Sequence, residues 1–346
     1  MGLLSLITLV IFISGCAPFD PKGVFVDAHQ TTFDAKGPVA QQQLDLFYVT
    51  LWVTIFIFIV VGGALAYATL RYRVRAGEKM DDSVPPQTHG NPVVEIGLIA
   101  ASVILLVIIA VPTVRGIFTI YTLPEDEDML VIDVTAYQWW WAFEYPELGV
   151  VNGNELAIPV DRKVRFNLRT FDVIHSFWVP KLAGKIDMIP NRNNWLWLEA
   201  SETGQYWGQC AEFCGESHAN MKFRVHVYSE EDFDRWVEHQ LSEAREPEEN
   251  TLAMQGKDLF QQKACLGCHT IQGTMARGVA GPDLTHYGSR MTVAAGMMDN
   301  TEENLAEWLR HPDKVKPGNL MAEQVLEQNL TEDEIAALAA YLLSLK

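Results

Sequence analysis

The stretch Cys210-Ala211-Glu212-Phe213-Cys214-Gly215-Glu216-Ser217-His218-Ala219-Asn220-Met221 places two thiols, an imidazole and a thioether on one short segment. A further imidazole stands upstream, in Asp172-Val173-Ile174-His175-Ser176-Phe177. Two thiolates four residues apart can each bridge a pair of copper ions, while His175 and His218 cap one ion each and the soft sulfur of Met221 fills a weak axial position. The backbone carbonyl of Glu212, between the cysteines, is placed to be the remaining ligand. Taken singly, the cysteines read as a disulfide and the histidines as hydrogen-bonded loop residues. The joint spacing favours the two-copper site.

A second signature follows in Cys265-Leu266-Gly267-Cys268-His269. In this pattern two thioethers fix a porphyrin and the adjacent histidine supplies the proximal iron ligand. A redox dithiol would need a thioredoxin-like strand and helix around it, and half a zinc site would need a further ligand pair; neither is present in the sequence. The distal ligand is expected at Met321, in Pro317-Gly318-Asn319-Leu320-Met321, a loop before the last helix. Met297 and Met298 are the fallback. A Met/His pair holds iron at a high potential suited to passing electrons onward.

The elements that must position these groups are legible in outline. From about Met129 to Tyr228, short runs alternate apolar with polar residues: 130–136, 163–169, 194–199 and 222–228. Period two, broken by Pro, Gly and Asn, predicts an antiparallel sandwich or barrel of about 100 residues, with metal ligands on loops at one end. Ser229 caps an amphipathic helix through Phe233, Trp236, Val237 and Leu241. The charged, Pro-broken residues 243–250 read as a linker. Ile335, Leu338, Ala339 and Leu342 then form one apolar face of a final helix that can pack on the first helix of the haem module.

Two apolar blocks, Leu46 to Leu70, which carries no charge, and Val93 to Thr119, are long enough to cross a bilayer. Between them lie Arg71, Arg73, Arg75 and Lys79 and a Pro85-Pro86 turn. Basic short loops stay in the cytoplasm, which puts both termini and both redox signatures outside. Glu95 sits at the cytoplasmic start of the second block, where a helix dipole alone would favour a carboxylate. Ahead of them, an apolar run from Leu3 to Ile13 and then Ser14-Gly15 precede Cys16. This resembles a lipoprotein signal cleaved before the cysteine, though no Lys or Arg comes ahead of the run.

The 346 residues suit two or three domains. With 44 acidic against 26 basic side chains and a net charge of -18, a nucleic-acid role is excluded and a cationic protein partner is the natural complement. The five cysteines divide among the copper loop, the haem pair and Cys16, leaving no pair for a stabilising disulfide.

From Leu46 to Gln240 the chain resembles subunit II of the haem-copper cytochrome c oxidases. The resemblance runs through the helical hairpin, the aromatic stretch Tyr137-Gln138-Trp139-Trp140-Trp141-Ala142-Phe143-Glu144-Tyr145, the His175 loop and the copper loop. The final module resembles a small class I cytochrome c, and Gly281-Pro282-Asp283-Leu284-Thr285 with Tyr287-Gly288-Ser289-Arg290 resembles the cytochrome domain fused to caa-type oxidases. One departure is Ala322, where many such domains carry Pro after the methionine.

The resemblance implies a multidomain chain: an N-terminal transmembrane helical hairpin, an all-β cupredoxin-like copper domain and a C-terminal all-α class I cytochrome c domain. Expected bounds are 1–15 for a signal peptide, 16–45 for an extracytoplasmic segment, 46–120 for the two helices and their loop, 121–242 for the copper domain, 243–250 for the linker and 251–346 for the cytochrome domain.

Copper ligation falls on His175, Cys210, the Glu212 carbonyl, Cys214, His218 and Met221. The Glu212 carboxylate turns toward a magnesium or manganese ion at the boundary with subunit I, Trp139 admits electrons, and Glu95 marks the mouth of a proton path. In this reading the chain passes electrons from haem c to a copper pair in a bacterial cell membrane, toward an oxygen-reducing site on another chain. Its partners are subunit I, further oxidase subunits, and a donor cytochrome or cytochrome-reducing complex. A membrane-anchored copper or haem delivery or sensing protein is the other class, and would not need a covalent haem behind a complete binuclear site. A nitrous oxide reductase would need a propeller domain, and a quinol oxidase subunit would lack the copper ligands.

Overall fold

The computed structural model describes residues 28–74, 77, 89–123 and 128–346. The signal run, Cys16, Arg75, Lys79 and the Pro85-Pro86 turn lie outside the described residues. The chain divides into a helical unit, 41–123, and a second unit holding the rest.

In the helical unit, α1 spans Pro38–Tyr72 and α2 spans Pro92–Tyr121. Their large apolar side chains, such as Trp52, Phe58, Ile99 and Leu106, are exposed all round. A helix without a polar face suits hydrocarbon, where every backbone group must be satisfied within the segment. At 35 residues α1 is about 50 Å long, well beyond a hydrocarbon core of about 30 Å. It begins eight residues before the apolar block, because Gln41, Gln42, Gln43 and Asp45 continue the helix on the water side. Helix α2 starts at Pro92 under an Asn91 cap, whose side chain accepts from Val93 N at 3.1 Å and Val94 N at 3.4 Å. Glu95 lies in its first turn.

The second unit begins its regular structure with a β lobe. One sheet contains β1 (Leu130–Tyr137), β2 (Trp140–Tyr145), β3 (Val150–Gly153), β5 (Val164–Thr170) and β8 (Asn194–Leu198), in the order β3-β2-β1-β5-β8. The other holds β4 (Glu155–Pro159), β6 (His175–Trp178), β7 (Ile186–Met188), β9 (Gly204–Cys210) and β10 (Lys222–Tyr228), in the order β4-β10-β9-β6-β7. The sandwich is mixed rather than purely antiparallel: β1 pairs parallel with β5 and β4 with β10. The chain leaves for the second sheet at β4, so β5 returns to the first running alongside β1. Inward residues of both sheets, Ile132, Val134, Trp141, Phe143, Phe166, Phe177 and Phe223, are buried, with Phe177 and Phe223 stacked at 5.0 Å. Helix α3 (Glu230–Gln240), capped by Ser229, closes the lobe.

The C-terminal lobe is built of α4 (Leu252–Gln262), α5 (Glu302–Arg310), the one-turn α6 (Pro312–Val315), α7 (Leu320–Glu327) and α8 (Glu332–Ser344). Helices α4 and α8 cross at Gly256, where a Cβ would stand 1.9 Å from the Ala337 carbonyl oxygen. Phe260 and Tyr341 meet edge to face beside this crossing, at 5.8 Å. A two-residue hairpin, Thr292–Val293 with Met298–Asp299, interrupts the all-helical expectation. Met321, expected on a loop, lies in the first turn of α7, because Asn319 caps that helix by accepting from Ala322 N at 2.9 Å.

Candidate functional site

The antiparallel pair β9 and β10 presents the copper loop. Cys210 ends β9, Met221 directly precedes β10, and the ladder closes between them with Cys210 N donating to Met221 O at 2.9 Å. His175 opens the neighbouring β6, whose Phe177 pairs with Cys210. The six donors expected from the sequence converge. Cys210 Sγ lies 3.7 Å from Cys214 Sγ, 3.9 Å from His175 Nδ1 and 3.2 Å from the Glu212 carbonyl oxygen. Cys214 Sγ lies 3.6 Å from His218 Nδ1 and 3.9 Å from Met221 Sδ. Both thiols are free, and His175, Cys210, Cys214 and Met221 are buried.

Soft sulfur flanked by two imidazoles in a dry pocket fits copper, and among the described residues His175, Cys210 and Cys214 form the one cluster of metal-binding side chains of this kind. The first proton leaves the thiol pair well below the ordinary range, because Cys214 hydrogen-bonds the Cys210 thiolate and His175 faces it. The second is held above that range by the same bond and by burial, since another thiolate would face the first. Cations between the sulfurs remove that opposition.

Asp172, not singled out from the sequence, orients the site. Its Oδ1 lies 2.7 Å from His175 Nε2, and the carboxylate also accepts from Gln138 N and Val173 N. Burial pulls the Asp172 carboxyl upward, but these bonds more than offset it and hold it below its usual value. The three tryptophans have separate jobs. Trp141 packs in the core, edge-on to His175. Trp140 stacks on Tyr137 at 4.4 Å. Trp139, 6% exposed, donates its indole N–H to the Cys214 carbonyl at 3.1 Å. The Glu212 carboxylate is half-exposed, 3.8 Å from Lys185 Nζ.

The C-terminal lobe holds a cavity of about 570 Å³ lined by Cys265, Cys268, His269, Met321 and apolar side chains that include Leu284, Leu338 and Leu342. His269 Nδ1 donates to the Pro282 carbonyl at 2.8 Å, and burial keeps the imidazole neutral, leaving Nε2 as a ligand. An apolar cavity with two free thiols and an oriented imidazole fits a covalent haem. Met321 lines it, whereas Met297 and Met298 are not among the lining residues.

The same cavity is walled by Tyr137, Trp139 and Trp140 of the β lobe. The seam between the lobes is polar and buried. Glu155 Oε1 accepts from Met291 N, Thr292 N and Thr292 Oγ1 at 2.8, 3.0 and 3.1 Å, while Oε2 lies 3.1 Å from His226 Nε2. Burial pulls the Glu155 carboxyl upward, and His226, Arg290 and the Thr292 bond overcome it and hold it low. Ser217 Oγ donates to the Pro317 carbonyl at 2.7 Å, and Arg290 donates to Asn152 Oδ1 at 3.1 Å. Neither Glu155 nor Ser217 was marked by the sequence as a seam residue, since their partners, Thr292 and Pro317, come from the other lobe.

Family models match three stretches: "Cytochrome C oxidase subunit II, transmembrane domain" over residues 27–115, "Cytochrome C oxidase subunit II, periplasmic domain" over 150–227, and "Cytochrome c" over 253–346. Cytochrome c oxidase subunit 2 of Alkalihalophilus pseudofirmus is 40% identical over 342 residues, covering 98% of this chain and 95% of that protein. Cytochrome c oxidase subunit 2 of Bacillus subtilis is 35% identical, covering 99% and 97%. Quinol oxidase subunit 2 of the same species is 33% identical over 244 residues, covering 70% of this chain and 72% of that protein.

Proposed function

This chain belongs to the cytochrome c oxidase subunit II family, and on that premise we propose that it receives electrons through its own C-terminal haem lobe and passes them by its copper site to the catalytic subunit. It is a membrane-anchored subunit of an oxidoreductase complex, with copper and haem domains outside the membrane. The observation that carries the hand-off is Trp139: it walls the haem cavity and hydrogen-bonds the carbonyl of Cys214.

The residues divide the work. Cys210, Cys214, His175, His218, Met221 and the Glu212 carbonyl would hold the copper pair. Cys265 and Cys268 would attach the haem, and His269 and Met321 would hold its iron. When bound, both centres take up and release electrons one at a time. Asp172 holds the His175 ring in place, and the leucines of the cavity exclude water. Trp139 steadies the copper loop while forming the wall that the haem lobe faces.

The finer roles rest on the family likeness. The Glu212 carboxylate would meet a magnesium or manganese ion at the boundary with subunit I. Glu95 opens a proton path into that subunit. Cys16 anchors a lipid after removal of residues 1–15. Further oxidase subunits and a donor cytochrome, or a complex that reduces it, are the remaining partners.

Metal and haem analysis of the purified chain tests this reading. About two copper atoms and one covalent haem per chain are expected, with near-infrared absorption from the copper pair. A single copper, or haem lost on acid-acetone extraction, overturns it.

A further inference from the structure

Lys316 lies between α6 and α7 in the haem lobe, only 3% exposed. Its Nζ crosses the seam to donate to the Trp139 carbonyl at 2.7 Å and also reaches the Ala294 carbonyl at 3.0 Å. Among the described residues it makes no ion pair with a carboxylate, an unusual state for a buried lysine. Such a group is costly to bury, and its amino hydrogens are spent on two backbone carbonyls. Burial pushes its pKa down to about 7, and both acceptors are served whether or not it carries the proton.

The next residues make the same crossing. The Pro317 carbonyl accepts from Ser217, the residue before the copper ligand His218. Gly318 has φ of +76°, and a Cβ there would come within 2.9 Å of both the Trp139 ring and Glu216 Oε2. Three positions further stands Met321, in the wall of the haem cavity. On the other side Trp139 continues to the Cys214 carbonyl. The segment that carries the axial methionine is therefore seated on the residues that frame the bridging thiolates.

We propose that Lys316 is a positioning residue for electron passage between the lobes: by donating to the Trp139 carbonyl it seats the 316–321 segment on Trp139 and sets the separation of haem and copper. The proposal rests on the electron-relay reading above. The step it serves is a one-electron exchange, haem oxidised and copper reduced, with no bond made or broken. Lys316 needs to touch neither centre; it fixes the two frames to each other.

The test uses the full chain loaded with copper and haem. After flash reduction of the haem, electron arrival at copper is timed in the wild type, Lys316→Met and Lys316→Arg. Lys316→Met, similar in length but without donors, is expected to slow transfer several-fold, because electron tunnelling falls off exponentially as the two centres move apart. Its copper and haem contents and both reduction potentials should stay unchanged. Lys316→Arg, which keeps N–H donors, should recover most of the rate. Hydrogen exchange over residues 312–321, read without turnover, should rise in Lys316→Met alone.

Wild-type speed in Lys316→Met overturns the proposal while leaving the relay intact. No haem-to-copper transfer in the wild type overturns the relay itself. If Lys316→Met fails to load either centre, Gly318→Ala decides: its Cβ meets the Trp139 ring, the same slowing is expected, and an unchanged rate refutes the seating role.

Discussion

At the scale of single residues, Asp172 shows how a candidate metal site depends on a group outside its ligand set. With its Oδ1 2.7 Å from His175 Nε2 it fixes the ring so that Nδ1 faces Cys210. Outer partners of this kind are worth about 10–100-fold in metal affinity. Asp172→Asn keeps the shape but loses the charge, so copper competition against a chelator should show affinity falling within that range; unchanged affinity would mean that packing alone holds His175. The six groups that converge here could be named from the sequence because copper chemistry would constrain both residue type and spacing. Asp172 could not, although it stands three residues before His175. A carboxylate at a turn has the same appearance whether it caps the turn or grips an imidazole, and only the fold decides.

At the scale of elements, the haem lobe depends on the α4–α8 crossing. Gly256 is there because the Ala337 carbonyl occupies the space of a side chain. Gly256→Val should force the helices apart and cost about 1–3 kcal/mol. In a lobe of this size that lowers Tm by about 4–8 °C per kcal/mol, measurable by scanning calorimetry, and an unshifted transition would show that the crossing is loose.

The elements also show where sequence reading reaches its limit. Strands β1 and β5 alternate buried and half-buried positions and were visible as period two. Strand β4 is buried at all five positions, so it has no alternation to detect. Strands β2 and β6 lie in aromatic and ligand-bearing stretches whose residues signalled chemistry more strongly than conformation. The helix ends of α1 went unseen for a related reason: an apolar run measures hydrocarbon thickness and not helix length.

At the scale of the whole molecule, the buried Glu155 ties the lobes together, and its acidity gives the seam a pH window. Its carboxyl is held below the ordinary value of 4.5, so its contribution is fully present above that pH and is lost as the pH falls through the lower, folded value. Protection factors of the Met291 and Thr292 amides, which donate to it, should therefore hold from neutrality to pH 4.5 and drop below. In Glu155→Gln the drop should vanish; persistence of the drop would assign it to another group. One consequence of the covered Trp139 concerns kinetics rather than structure. A donor joined to its acceptor by so short a connection is present at an effective concentration of roughly millimolar, however dilute the membrane. Copper reduction from that lobe becomes first-order, indifferent to the ionic strength that screens encounters between separate charged proteins, so only the arrival of electrons at the haem still depends on a second molecule.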